Sequence, residues 1–274
     1  MSVLGKHAIV NGNLVEATEA TLPVYDRELQ HGFGVYESLR IIRGKIVYPE
    51  DHILRLFHSA NGLQLRHRFT TEQILAWLRL LVEADGIEEA TVRILMMGGP
   101  EARLFITASP MLSYPQSFYL EGVKAVSYHG ERFLPQYKTC SLLMNYLALR
   151  EAGSVGAFEA LLNNKGGSIL EGTRSNAFAT EGDVVYTAAT EEVLEGVTRD
   201  KIIKAVSELG YRIVFEAPKL REVLEGRFDE LFISSTSMGA MPLRALDGRE
   251  FNAPFTNASA IHALIRSWEL DALH

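Results

Sequence analysis

Cysteine is almost absent: the 274 residues contain one, Cys140. No intramolecular disulfide can form, and the expected home of the chain is a reducing compartment, the cytoplasm. Basic residues are also in deficit, with 27 Lys and Arg against 34 Asp and Glu and a formal net charge of −7. Nucleic-acid backbones are bound by clustered Lys and Arg, so a general nucleic-acid surface is excluded. No apolar run approaches the ~20 residues that a membrane span needs. The opening MSVLGKHAIVNG lacks the apolar stretch of a secretion signal. No G-x-G-x-x-G opens a strand-to-helix turn, which argues against a nucleotide-binding βαβ unit. No metal site is expected. What remains is a hydrophobic fraction of 47% with 22% charged residues. That composition suits a folded enzyme with an ample core, and the length suits two modest domains or one large one.

The pattern along the chain is mixed. His7–Glu16 reads as two short strands about an Asn-Gly turn, and Gly34–Tyr48 as two more about Arg43-Gly44. Pro49–Leu63 carries Pro and acids in its first turn, apolar residues at helical spacing and Gly62 as a stop. Thr70–Gly86 repeats that grammar. Ala90–Met97 and Ala102–Pro110 are strands joined by a Gly-Gly-Pro turn. Met111–Gly122 has no helical period, contains a Pro, and reads as a linker. Beyond it come further strands, a helix from Ser141, the helix VTRDKIIKAVSELG closed by Gly210, and a last amphipathic helix. Hairpins with scattered helices predict an α+β fold. The expected division is a first domain over 1–110, a linker over 111–121 and a second domain over 122–274.

The chemistry concentrates in SILEGTRSNAF, Ser168 to Phe178, with an isolated lysine, Lys138, about thirty residues earlier. Glu171 stands at a strand end before a turn of small hydrogen-bonding residues. Such an acid can keep a heteroaromatic nitrogen protonated while a distant lysine forms an imine with the ring's aldehyde. The flanking runs are DRELQHGFGVYESLRIIRGKIVYPEDHILRLF, KTCSLLMNYLALREA, EGTRSNAF, EGVTRDKI and ISSTSMGAMPL, in that order. Together they resemble the class IV aminotransferases, the fold-type IV family of pyridoxal 5′-phosphate enzymes, over nearly the whole chain.

The resemblance implies a small N-terminal α/β domain and a larger C-terminal pseudo-barrel domain that binds the cofactor. It implies that Lys138 bonds the cofactor aldehyde and then serves as general base, and that Glu171 faces the pyridine nitrogen, with Ser175 and Asn176 beside it. Val197 and Thr198 open a helix whose free N–H groups make an anion site. Ser235 and Thr236 match the family's second phosphate-binding segment, Arg55 its phosphate arginine, and Leu194 the apolar residue on the cofactor ring. A homodimer is implied, with an active site that borrows residues from the neighbouring subunit; His31–Glu37 is the stretch expected to line it.

For the substrate carboxylate the chain departs from both familiar patterns. Met97-Gly98-Gly99-Pro100 stands where D-amino-acid enzymes carry an Arg–His pair, and Thr91 where branched-chain enzymes carry a Tyr. Arg27, Arg93 and Arg174 are the expected replacement, with Arg27 contributed across the dimer. The expected activity is transfer of an amino group from an α-amino acid to a 2-oxo acid in a ping-pong cycle, D-amino acids favoured. Branched-chain L-amino-acid transamination, R-selective amine transamination and an aminodeoxychorismate-lyase-like reaction are the alternatives.

Overall fold

The computed structural model describes residues 4–273. The chain divides into two units: the first runs through Leu112 and adds Tyr137–Ser141 and the chain from Glu269 onward; the second holds Ser113–Gln136 and Leu142–Trp268.

In the first unit the elements are β1 (His7–Val10), β2 (Asn13–Glu16), α1 (Arg27–Gln30), β3 (Gly34–Ile42), β4 (Lys45–Ile46), α2 (Pro49–Gly62), α3 (Thr71–Asp85), β5 (Glu89–Met97) and β6 (Arg103–Ser109). The strands form one antiparallel sheet in the order β2-β1-β6-β5-β3-β4. Side chains alternate across a strand, and β3 shows it plainly. Val35, Leu39 and Ile41 are buried with Ile53 and Leu56 of α2 and Ile74 and Leu78 of α3. Each of these apolar side chains contributes roughly 1.5–3 kcal/mol by leaving water. The helix α3 starts from a complete capping box, Thr70 with Gln73. It stops at Gly86, whose left-handed backbone (φ 59) is the conformation an α-helix end commonly requires.

The remaining residues of β3 point the other way. Register sets Tyr36 opposite Leu95, Ser38 opposite Arg93 and Arg40 opposite Thr91. Next to β3, Lys138–Cys140 adds an edge strand: Tyr36 N–H donates to the Lys138 carbonyl (3.0 Å), Cys140 N–H to that of Gly34 (2.8 Å), and Val35 bridges Thr139. This pairing joins residues about a hundred positions apart. It places Tyr137–Ser141 in the first unit, where the sequence pattern had grouped it with the C-terminal half.

The second unit contains α4 (Gln116–Leu120), β7 (Val123–His129), α5 (Leu143–Ser154), β8 (Glu159–Asn163), β9 (Ile169–Gly172), β10 (Asn176–Glu181), β11 (Val184–Thr187), α6 (Val197–Glu208), β12 (Arg212–Phe215), α7 (Leu220–Leu224), β13 (Glu230–Ser235), β14 (Gly239–Leu246), β15 (Arg249–Glu250) and most of α8 (Thr256–Asp271). The strand order is β12-β11-β10-β13-β14-β7-β8-β9, and β9 pairs again with β10, closing six strands into a ring. Its core includes the stacked Phe178 and Phe232, 4.8 Å apart, with Ile202, Ala205 and Val206 of α6 and Ile261 and Ile265 of α8. The stretch read as a linker contains the short helix α4. Tyr114, Phe118 and Tyr119 pack on this core, which is why the segment is ordered without a long helical period. The helix expected from Ser141 begins at Leu143.

Candidate active site

In the first unit the outward row of the sheet carries the reactive cations. Lys138 is fixed at both sides of its backbone, by β3 and by its N–H donating to the buried Ser59 hydroxyl (3.0 Å). Its Nζ lies 4.6 Å from the centre of the Tyr36 ring, and Arg93 Cζ lies 4.3 Å from the same centre. Among the described residues neither Nζ nor the Arg93 guanidinium makes a hydrogen bond or ion pair. A cation over a ring gains about 0.5–1 kcal/mol at such exposed sites, enough to orient it without capping its donors. Tyr36 is thus a site residue that the sequence pattern marks only within the wider stretch His31–Glu37. Cys140, two residues on, has its thiol pushed up to about 11, chiefly by burial against a lowering by Arg93, and stays protonated at neutral pH.

Arg27, at the start of α1, has its guanidinium unengaged among the described residues. Arg55 is engaged: Nε lies 2.7 Å and Nη2 2.8 Å from the two oxygens of Glu37. Glu37 belongs to the inward row of β3, fully buried, and also bonds His52 Nδ1 (2.8 Å). Burial acts to raise its pKa, but the Arg55 charge and the hydrogen bonds from Arg55 and His52 win and hold the carboxyl well below its ordinary value. Burial, with the charges of Arg55 and Lys138, lowers the pKa of His52 against the raising effect of Glu37, which favours the neutral ring. The sequence carries a signal for this: an acid in the inward register of GVYESLRII calls for a cation or hydrogen-bond donors in the core.

In the second unit the groups sit at strand ends and are tied down. Glu171, at the end of β9, receives Arg132 Nε at 2.6 Å on one oxygen and Leu194 N–H at 3.4 Å on the other. Arg132 also donates to the Pro135 carbonyl. It was missed in the sequence, where nothing local ties GERFLPQYK to β9. Asn176 is the hub: it pairs opposite Glu171 on β9 and Ser234 on β13, and its Nδ2 donates to the Leu194 carbonyl at 2.8 Å. A Cβ at residue 196 would run into Asn176 Oδ1, so any side chain there would displace the Asn176 amide. Gly196 is the uncapped N-terminus of α6, followed by buried Val197 and Thr198. One strand away, the Ser234 hydroxyl is buried without a partner. Ser235 Oγ accepts Met238 N–H and so shapes the Thr236–Met238 turn. Arg266 donates to the Thr236 and Ser237 carbonyls (3.5 and 3.0 Å).

Two residues expected at the site are occupied elsewhere. Ser175 Oγ donates to Glu159 (3.0 Å), a fully buried acid that also holds Thr173. Arg174 is the partial countercharge to that acid, Nε at 3.8 Å, and lies over the Phe158 ring at 5.0 Å. Burial raises the pKa of Glu159 against these contacts. The three arginines therefore do not form one set: Arg93 shares a ring with Lys138, Arg27 is unengaged among the described residues, and Arg174 serves Glu159.

These groups fit pyridoxal 5′-phosphate. An uncapped helix start and the hydroxyls of Thr198, Ser234 and Thr236 suit a phosphate. In the second unit the Glu171 carboxylate suits a ring N–H; in the first, the Lys138 amine makes no hydrogen bond or ion pair among the described residues.

The fold and these groups define a transaminase of the pyridoxal-phosphate type. The amino-transferase class IV family model matches residues 34–246, and the chain belongs to that family, whose members use pyridoxal 5′-phosphate. A D-alanine aminotransferase from Bacillus licheniformis is 30% identical over 253 residues, covering 88% of each chain. A putative branched-chain-amino-acid aminotransferase from Methanocaldococcus jannaschii is 28% identical over 260 residues, covering 89% of this chain and 88% of that one. The branched-chain aminotransferase of Thermoproteus uzoniensis, solved with norvaline, superposes with a TM-score of 0.89 at 25% identity over 97% of this chain and 95% of that one.

Proposed function

We propose that the chain moves the amino group of an α-amino acid, D-amino acids favoured, to a 2-oxo acid such as pyruvate or 2-oxoglutarate in a ping-pong cycle. The observation that carries the chemistry is the Lys138 amine, anchored through its backbone on the β3 edge and, among the described residues, left without a hydrogen bond or ion pair. When bound, the cofactor supplies an aldehyde to take the amino group and an electron-accepting ring. Lys138 Nζ would hold the cofactor through its aldehyde and, as the nearest uncharged amine when deprotonated, would take and return the proton of the substrate α-carbon. Glu171, steadied by Arg132, accepts the ring N–H. The N–H groups of Val197 and Thr198, with the hydroxyls of Thr198, Ser234 and Thr236, would seat the phosphate, Ser235 shaping the turn that carries Thr236, and Asn176 sets Leu194 and Gly196 in register. Arg55, held by Glu37, is proposed to contribute its charge to the phosphate.

The substrate carboxylate is assigned to Arg93, with Arg27 supplied by a second copy of the chain; Arg174 keeps its structural role at Glu159. A homodimer is supported by the exposed apolar side chains of Val24, Tyr25, Leu143 and Tyr146, which are 65–83% accessible. An active monomer in sedimentation would overturn it. The cytoplasm is proposed as the location; among the described residues no helix is long and apolar enough to cross a membrane.

D-preference is supported by the D-alanine aminotransferase relative, whereas the norvaline-bound neighbour favours a branched-chain reading. Single half-reactions decide between them, followed through the cofactor spectrum with D- and L-alanine, D-glutamate, L-leucine and (R)-1-phenylethylamine. Faster conversion by the D-acids supports the proposal. L-leucine in the lead replaces it with the branched-chain activity, the amine in the lead with amine transamination, and turnover without any acceptor with a lyase.

A further inference from the structure

Arg199 is the largest side chain among the fully buried ones, at 1% exposure. It is the third residue of α6, directly after Val197 and Thr198. Its Nη2 donates to the Ala188 carbonyl (2.8 Å) and its Nη1 to the Thr190 hydroxyl (3.4 Å), while Nε is buried and has no partner among the described residues. Phe215 covers it at 5.6 Å. The charges that reach it belong to Asp200, Glu195 and Glu191, but among the described residues no carboxylate lies within ion-pairing distance. A buried cation is ordinarily paired, because an unpaired one loses its hydration for nothing. Elsewhere in this chain that rule holds: Arg55 has Glu37 and Arg132 has Glu171. At Arg199 no carboxylate makes an ion pair among the described residues, and the helix that carries it begins at the proposed phosphate seat.

We propose that Arg199 is a positioning residue for the phosphate: it pins the first turn of α6 onto Ala188 and Thr190, and its charge, which no carboxylate contacts among the described residues, adds to the field of the helix start that a dianion then satisfies. This rests on the reading of Val197–Thr198 as the phosphate seat. It differs from a contact role, since the guanidinium is turned to Ala188 and Thr190 and not to the helix start.

The test uses the full chain freed of cofactor and titrated with pyridoxal 5′-phosphate and with pyridoxal, reading the visible absorbance of the lysine-bound aldehyde and thermal unfolding of the cofactor-free chain. Arg199→Met keeps length and removes charge. It should weaken pyridoxal 5′-phosphate binding about ten- to a hundred-fold, the range for loss of a charge-assisted interaction, and leave pyridoxal binding within about two-fold. The cofactor-free chain should stay folded and melt close to the wild-type temperature, since removal of a buried charge offsets loss of the two hydrogen bonds to Ala188 and Thr190. Arg199→Lys, which keeps the charge but cannot span both acceptors, should fall between the two. Equal losses for both ligands, or no loss for either, overturn the proposal. So does an unfolded Arg199→Met accompanied by an Arg199→Lys that binds the phosphate ester normally, because the residue is then merely structural. If the wild-type chain binds pyridoxal as tightly as its phosphate, the phosphate seat itself is wrong, and the failure lies with that reading.

Discussion

In the first unit, Lys138 and Arg93 end over one tyrosine ring with their donors uncommitted among the described residues; in the second, Glu171 and Asn176 are each fastened by another residue's side chain or backbone. The difference follows the work proposed for them. A lysine that must bond an aldehyde, release it and then carry a proton needs a fixed backbone and a free end. Groups that seat a ring and a phosphate need fixed ends, because orientation gained in advance is not lost again on binding. A second contrast lies beneath the first. Glu37 and Glu159 are both fully buried, yet Glu37 meets a bidentate guanidinium and stays charged, while Glu159 meets hydroxyls and a half-exposed arginine and has its pKa raised.

The largest expected effect breaks the free-end side of the comparison. Lys138→Ala should lower the half-reaction rate at least about a thousand-fold, within the range that a lost general base produces, and leave binding of the phosphate ester measurable. On the fixed-end side, Glu171→Gln should slow proton transfer by about ten- to a hundred-fold, equivalent to the loss of one charged hydrogen bond. Arg132→Met should move the rate in the same direction by less. Unchanged rates in both would place the ring's acid elsewhere.

The buried acids are separated by stability. Glu37→Gln leaves Arg55 facing a neutral amide and should cost about 3–5 kcal/mol in urea unfolding, as breaking a buried pair does. Glu159→Gln should cost about 1 kcal/mol or less at neutral pH, because the charged form is disfavoured there already. The pH dependence has opposite signs. The depressed pKa of Glu37 gives stability that is present above the ordinary carboxylate value of 4.5 and lost as pH falls toward its folded value. The raised pKa of Glu159 gives a penalty absent below 4.5 that grows as pH rises through that range. Melting curves between about pH 3 and pH 7 should flatten on the acid side for Glu37→Gln and not for Glu159→Gln.

The smallest effect sharpens the assignment of the carboxylate. Arg93→Ala should reduce kcat/KM for amino acids by about ten-fold or more and leave a primary amine without a carboxylate much less affected. Equal losses for both substrates would make Arg93 a packing partner of Tyr36.

Much of this was legible in the sequence where the signal is local. The Asn11-Gly12 and Arg43-Gly44 turns, the Thr70 cap and the helix opening at Val197 each declare themselves within a few residues. What was not legible depends on pairing over long distances. Lys138–Cys140 joins β3 through backbone bonds that any sequence can make, so no side-chain pattern marks it. Arg132 meets Glu171 across 39 positions, with no spacing rule to connect them. Arg174 looked available because its sequence neighbours are site residues, but the turn directs it to Glu159. Arg199 lies between these cases: it shares an apolar stripe with Ile202, Ala205 and Val206, a pattern that already predicts burial of a charge.

The central claim is that Lys138 is the amine that bonds the cofactor. Reduction of the cofactor-loaded protein with borohydride makes that bond permanent, and peptide mapping by mass spectrometry then locates it. The account predicts a phosphopyridoxyl group on Lys138; its presence on another lysine, such as Lys165 or Lys219, with Lys138 unmodified would contradict it.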